Sequence, residues 1–357
     1  MSEFHINVLD QSPITSGMSP TEAIHESAAL AQFCEQQGYH RFWVAEHHNT
    51  SAFAGAAPEI LMAHLAARTS KIKIGSGGIM ISHYSPMKIA EQFRMLATLA
   101  PGRIDLGIGR APGGDARTSA ALQAGPQAWP PDVFPQQLEM LRQFLDDAEG
   151  LAGEAGGWPD NHPYRTLHAQ PTGSAAPLIW VLGSGGDSAI YAAQFGLPYV
   201  YAHFIGGEDG QHAIDIYRQN FKPSRNCPRP LVGFALSALA ADTEEAASYY
   251  AASRNLWAVR FLQGQSGIFP TLEDAAAHSY SEREKLILDQ VRARSLSGTP
   301  SQVVGNLIER QKLYDVDEFF LVTITPDAEA RRASYALIAQ ELHKRELLAN
   351  PSLRHIA

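Results

Sequence analysis

Eight short apolar runs recur along the chain, at 6–9, 42–45, 72–81, 104–108, 178–182, 199–204, 231–240 and 319–323. Each leads into a stretch with helical periodicity, and this alternation constrains the fold more than any other feature. Continuous Val, Ile and Leu content, without polar alternation, belongs to strands buried on both faces of a parallel sheet covered by helices. The helical stretches carry start signals of their own. Ser19-Pro20-Thr21-Glu22 and Thr299-Pro300-Ser301-Gln302 each combine an N-cap hydroxyl, a proline at the first helical position and a capping-box partner. Eight strand–helix units predict an α/β protein of the closed (β/α)8 TIM-barrel type rather than an open doubly wound sheet. The first strand is not followed by G-x-G-x-x-G, and the strand spacing persists to the end of the chain. The 357 residues read as a single barrel domain, 1–357, with insertions at approximately 111–132, 150–177 and 263–281.

Charge and cysteine content narrow the function classes. A net charge of −9 without basic runs argues against a nucleic-acid partner, because phosphate neutralisation needs clustered Lys and Arg. Cys34 and Cys227 form neither a disulfide framework nor a zinc pattern, which fits a reducing compartment. The first residues lack a charged and then apolar leader, and no segment reaches the roughly 18 apolar residues of a membrane span. The expectation is a soluble, cytoplasmic protein that acts on a small molecule.

In such a barrel function sits at the C-terminal ends of the strands. The fourth strand ends in Gly109-Arg110, inside the glycine-rich stretch 103–115, and a guanidinium there suits a phosphate or carboxylate. The fifth ends in Gly183-Ser184 and leads through Asp187 and Ser188 into a helix whose first N–H groups can seat an anion. The loops after the seventh and eighth strands are acidic and lack glycine, so the anion site is expected between strands four and five. The plainer alternative pairs Arg110 with an acid such as Asp115 and leaves the glycines to packing.

The second strand ends in Glu46-His47-His48, where alternation puts Glu46 and His48 on one face and His47 on the other. Spacing does not decide which histidine faces inward. Asp10 and His203 stand at other strand ends, but no His-x-His opens the chain, so an acid–base histidine is preferred to a metal ligand or a structural histidine. Gly75, Gly77 and Gly78 interrupt the third strand and suggest a bulge, or a place where something flat lies against the backbone. Phe4, Trp43, Phe53, Trp180 and Phe204 are candidate pocket walls for an apolar substrate.

Several of these pieces, in this order and spacing, resemble the bacterial luciferase-like flavin monooxygenases. They are Phe42-Trp43-Val44-Ala45-Glu46-His47-His48, the run 74–81, Ser85-Pro86 with Glu91, the run 102–110, Val181-Leu182-Gly183-Ser184 and Gly196-Leu197-Pro198. The resemblance implies a barrel that binds FMN at its mouth, takes it reduced from a separate flavin reductase, and uses molecular oxygen to oxidise a small organic substrate. It implies that Arg110, Ser184, the Gly183 amide and the helix start near Ser188 hold the phosphate. Gly77 and Gly78 would lie behind the flavin ring, where the family often has a non-prolyl cis peptide. His47 matches the family's catalytic histidine and His48 the second of that pair. The segment 263–281 would be a mobile lid, and the helices after strands two and three would form a homodimer. Gly183 replaces a glutamate of the luciferases and Gly109 a cysteine of their α subunits, which points to a monooxygenase without light emission. An F420-dependent oxidoreductase on the same fold and a non-catalytic flavin-binding protein are the competing readings.

Overall fold

The computed structural model describes residues 4–111, 113–123, 131–149, 158–206 and 210–347. Its strands are β1 (His5–Asp10), β2 (Arg41–Val44), β3 (Lys73–Ser76), β4 (Ile79–Met80), β5 (Ile104–Gly109), β6 (Leu178–Gly183), β7 (Tyr199–Ala202), β8 (Val232–Ala240), β9 (Ser295–Gly298) and β10 (Glu318–Val322). Every pairing between them is parallel. Eight close into a ring, β1-β2-β3-β5-β6-β7-β8-β10, because β10 pairs with both β8 and β1. The protein is therefore a (β/α)8 TIM barrel, as the repetition of apolar runs predicts. Among its outer helices are Pro20–Gln36, Pro58–Arg68, Pro86–Leu99, Phe134–Ala148, Gly186–Gln194, Glu244–Leu262 and Ala328–Lys344. Both capping boxes form, and Ser281 with Glu284 makes a third.

Alternation along each strand sorts side chains between two cores. Ile6, Val8, Phe42, Val44, Leu106, Ile108 and Val181 pack outward against the helices. Leu9, Trp43, Trp180, Val200, Ala235 and Phe320 fill the barrel itself. Trp43 lies 5.4 Å from Trp180 and 4.3 Å from Phe320, ring centre to ring centre. These rings plug the middle of the barrel, so the site lies above them.

Several boundaries differ from the sequence expectation. The third run is not one strand: β3 stops at Ser76, β4 resumes at Ile79, and a 3₁₀ turn follows over Ile81–His83. The sixth run ends at Ala202 and turns into a short helix, His203–Gly206. Sequence periodicity missed the helix Ala116–Leu122, capped by Asp115, and the strand β9, whose serines and glycine carry little strand signal. The 263–281 segment is not wholly irregular, because Thr271 caps a helix over Leu272–Ala277. No hairpin occurs over 158–177. Pro112, the parts 124–130 and 150–157 of the expected insertions, and the expected helix start at Asp209 lie outside the described residues. Phe4 is no pocket wall: it packs edge-on against Phe319 in the outer core. Cys34 and Cys227 are free and buried. Among the described residues no helix is long and apolar enough to cross a membrane.

Below the ring plug lies a buried ion network. Arg41 donates from Nε and an Nη to Glu318, at 2.7 and 3.0 Å, and from its other Nη to Asp105 at 2.7 Å. Asn7 donates to Glu318 at 2.9 Å and the Trp43 indole to Asp105 at 3.1 Å. Burial pushes the Glu318 carboxyl up, but the Arg41 guanidinium outweighs it and holds the group at about 2. A carboxyl held low stabilises the fold above its unfolded value of 4.5. That contribution drains away as pH falls from there toward 2. Arg41→Met leaves two buried carboxylates unpaired and is expected to cost about 3–5 kcal/mol in urea denaturation at neutral pH. Glu318→Gln should flatten the acid side of the stability profile. A loss below about 1 kcal/mol for Arg41→Met would show that the network contributes little.

Candidate functional site

The mouth is formed where β2, the β3–β4 break, β5 and β6 end. The peptide between Gly77 and Gly78 is cis. A Cβ on Gly77 would come within 2.5 Å of the Leu9 side chain, and one on Gly78 within 2.9 Å of the Gly107 carbonyl oxygen. Only glycine lets the backbone lie this close to the strands on either side. Gly75 has a different reason, since a Cβ there would meet the Trp43 indole at 2.3 Å. The flat group against Gly75 is thus the protein's own tryptophan.

Glu46, His47 and His48 divide as alternation predicts. The buried Glu46 carboxylate accepts from His48 Nε2 at 2.7 Å, from the Tyr84 hydroxyl at 2.7 Å and from the Met80 amide at 2.9 Å. Three donors fix it as a brace between the end of β2 and the β3–β4 break. Burial, and then the Glu46 charge, push the Tyr84 hydroxyl well above its usual value, so it stays a donor. His47 turns the other way and stacks on Phe53, 4.4 Å between ring centres. Its amide donates to the Gly55 carbonyl at 2.8 Å, and its Nδ1 is buried without a hydrogen-bond partner. Burial, and then His48, lower its pKa to about 4. At neutral pH His47 is an uncharged imidazole with an unengaged nitrogen.

Arg110 and the Gly183–Ser188 loop do meet. Arg110 donates to Asp187, at 2.9 Å, in the first turn of the helix Gly186–Gln194. That helix starts without a side-chain cap, leaving its first N–H groups to water or to a ligand. The pair is well exposed, so an incoming anion can displace Asp187 at small cost. Gly183 leaves room for Ser188, which a Cβ would strike at 2.3 Å. The Tyr199 hydroxyl donates to the carbonyls of Gly183 and Gly185 at 3.1 and 3.4 Å and holds the turn. Ser184 is exposed on its rim. Asp115 does not pair with Arg110; it accepts from the Thr118 amide at 2.7 Å as a helix cap. Thr243 and Asp327 likewise cap the helices after β8 and β10.

Two strand-end candidates lie elsewhere. Asp10 is buried in an ion pair with Arg331 at 2.6 Å. His203 sits in the outer core beside Phe234, 5.1 Å between rings, with its pKa lowered to about 4 by burial and then by Arg310 and Arg294. Of the expected aromatic walls, Trp43 and Trp180 are fully buried in the plug, Phe53 faces the mouth, and Phe204 packs on the inner core. Sequence reading missed Trp257 and Phe269. Phe269 bridges to Thr15, and both rings pack on Phe53, each 5.6 Å away. They roof the side of the mouth where His47 stands. Trp257 comes there on the helix Glu244–Leu262, and no local pattern announces its contact with Phe53.

A family model described as luciferase-like monooxygenase matches residues 2–316. The chain is 36% identical over 336 residues to N-acetyl-S-alkylcysteine monooxygenase of Bacillus subtilis strain 168, covering 94% of this chain and 97% of that one. Its structure superposes on that of apo-MsnO8 with a TM-score of 0.83 at 34% identity, covering 95% of this chain and 98% of that one. The fold is shared with the oxygenating constituent of 3,6-diketocamphane monooxygenase from Pseudomonas putida, solved with FMN. There the TM-score is 0.68 at 18% identity, over 98% of this chain and 100% of that one.

The surroundings of His47 carry a pH expectation of their own. Its folded pKa lies below the ordinary 6.5, so folding resists its protonation, and stability falls as pH drops from 6.5 toward about 4. Histidine side-chain NMR, with His47→Gln to assign the signal, should find this ring neutral at pH 6. A signal half-titrated at pH 6 or above would contradict the burial described.

Proposed function

This chain belongs to the luciferase-like monooxygenase family, and from that premise we propose that it is an FMN-dependent monooxygenase supplied with reduced flavin by a separate reductase. The observation that carries the reading is the convergence of Arg110 with the uncapped start of the helix Gly186–Gln194, beside the close-packed Gly183–Ser188 turn. A guanidinium, free helix N–H groups and a hydroxyl at one strand end suit the terminal phosphate of FMN. In this reading Arg110, Gly183, Ser184 and Ser188 hold the phosphate, and Gly77 and Gly78 leave the backbone flat behind the ring. The bound flavin, once reduced, supplies the two electrons with which oxygen is split between substrate and water.

The remaining groups are this chain's own contribution. Phe53, Trp257 and Phe269 exclude water from the mouth. His47, uncharged near neutral pH and with an unengaged Nδ1, is the group we assign to hold or accept a proton beside the substrate. Glu46 keeps His48 and the amide of Met80 in place. A thioether such as an N-acetyl-S-alkylcysteine, named for the 36%-identical relative, is the first substrate class to try. Exposed Ile60, Met95 and Leu99 on the helices Pro58–Arg68 and Pro86–Leu99 support a homodimer through that face.

Turnover is expected to require both reduced FMN and oxygen. Hydride transfer from reduced F420 without oxygen would overturn the assignment. Arg110→Ala should weaken FMN binding roughly tenfold to a hundredfold by fluorescence titration. His47→Ala should abolish most turnover while leaving FMN affinity within about twofold. Unchanged FMN affinity in Arg110→Ala would remove the phosphate site.

A further inference from the structure

On the side of the mouth opposite Arg110 lies a pocket that none of these assignments uses. It is an open cleft at the C-terminal ends of β8 and β10, under the helix Glu244–Leu262, and its inner part, about 20 Å³, takes one small polar head group while the rest of a ligand lies outside it. Ser237, Leu239, Arg254, Asn255, Val322 and Ile324 are among its walls. Arg254 donates from one Nη to the Ser237 hydroxyl at 3.0 Å and from the other to the Asn255 amide oxygen at 3.4 Å. Both partners are neutral. Among the described residues no carboxylate lies within 4.0 Å of this guanidinium; the buried Arg94 lacks one too, but three backbone carbonyls and the Ser174 hydroxyl accept its donors, whereas Arg254 has only two neutral side-chain oxygens. Burial alone lowers its pKa, to about 10, and no acid opposes the shift.

Arg254 is half-buried, so its charge is partly stripped of water with no acid to offset it, and a ligand anion at this point would supply the missing charge. The guanidinium has five donors, and two are spent on these neutral oxygens. The surroundings also define what the rest of the ligand is. Val322 and Ile324, which line the pocket, belong to one apolar cluster with Phe269, and Phe53 and Trp257 pack against that cluster. Phe53 stacks on His47. Trp257 stands one helical turn beyond Arg254 and so shares its face. An apolar path therefore leads from the guanidinium to His47.

We propose that Arg254, with Ser237 beside it, binds the carboxylate of the substrate, so that this enzyme takes small organic acids whose apolar body lies along Val322, Ile324 and Phe269 with the reacting end at His47. That the ligand is the substrate rests on the monooxygenase reading; that the site takes a carboxylate does not.

The test is binding to the flavin-free protein, followed by quenching of tryptophan fluorescence and by calorimetry. The probes are hexanoate, 4-phenylbutanoate and N-acetyl-S-methylcysteine, each against its own primary amide. Carboxylates should bind at least roughly tenfold more tightly than their amides. Arg254→Met should erase that preference, and Arg254→Lys should retain part of it. FMN affinity should be equal in wild type and both variants, which separates this anion site from the phosphate site. Equal binding of acids and amides, no binding of any acid to wild type, or an unchanged preference in Arg254→Met would each overturn the proposal. Should Arg254→Met not fold, the wild-type comparison and Arg254→Lys decide. Loss of FMN binding in wild type would sink the flavin reading and leave the carboxylate result standing.

Discussion

A single guanidinium inside the barrel, on Arg41, ties together side chains from four of its eight strands. It bonds Glu318 of β10 and Asp105 of β5, and Asn7 of β1 joins through Glu318. Each of these residues occupies an inward position, in step with Leu9, Trp43 and Phe320. A slip of one residue in any of these strands would move its charge into the outer core, among helices that offer it nothing. The network thus specifies register as much as it holds charge. It also places the layer above it, because the Trp43 indole donates to Asp105 and lies over Gly75. The ring plug that floors the mouth follows from that one placement.

Above the plug the two sides of the mouth are built differently. From β2 to β6 the backbone runs close, with glycines where neighbouring strands leave no room, and Glu46 pins the break between β3 and β4 through three donors. That side is held by close backbone packing and by the hydrogen bonds to Glu46. On the β8 side a helix and the bridging segment around Phe269 cover the opening with aromatic rings. His47 belongs to both sides, since it leaves the braced end of β2 and stacks under the roof. Its depressed pKa is a consequence of that position, because the roof that excludes water also disfavours its charge.

The strands and most helices are legible in the sequence because their signals are local. Apolar runs, capping boxes and prolines at helix starts act within a few residues of themselves. The places where reading fails are those where tertiary contact overrides a local pattern. The run 72–81 looks like one strand, yet it breaks at Gly77, where Leu9 and Gly107 crowd the backbone. The strand β9 has a weak sequence signal, and pairing with the second half of β8 makes it. The acids after β8 and β10 stand at helix starts, where a carboxylate suits the free N–H groups.

The sequence by itself determined the barrel, the order of its units, the family, and the strand ends at which chemistry can occur, since periodicity and short motifs suffice for each. It also put Glu46 and His47 on opposite sides. Only the tertiary structure decided what those side chains meet. Arg110 faces Asp187 rather than Asp115, Phe4 and His203 turn to the outer core, and Trp257 and Arg254 on one helix, with Phe269 in the segment after it, reach the mouth from more than two hundred residues beyond His47 in sequence. Charge pairing, burial and a free hydrogen-bonding nitrogen are properties of neighbours distant along the chain, and closing the barrel is what makes them neighbours.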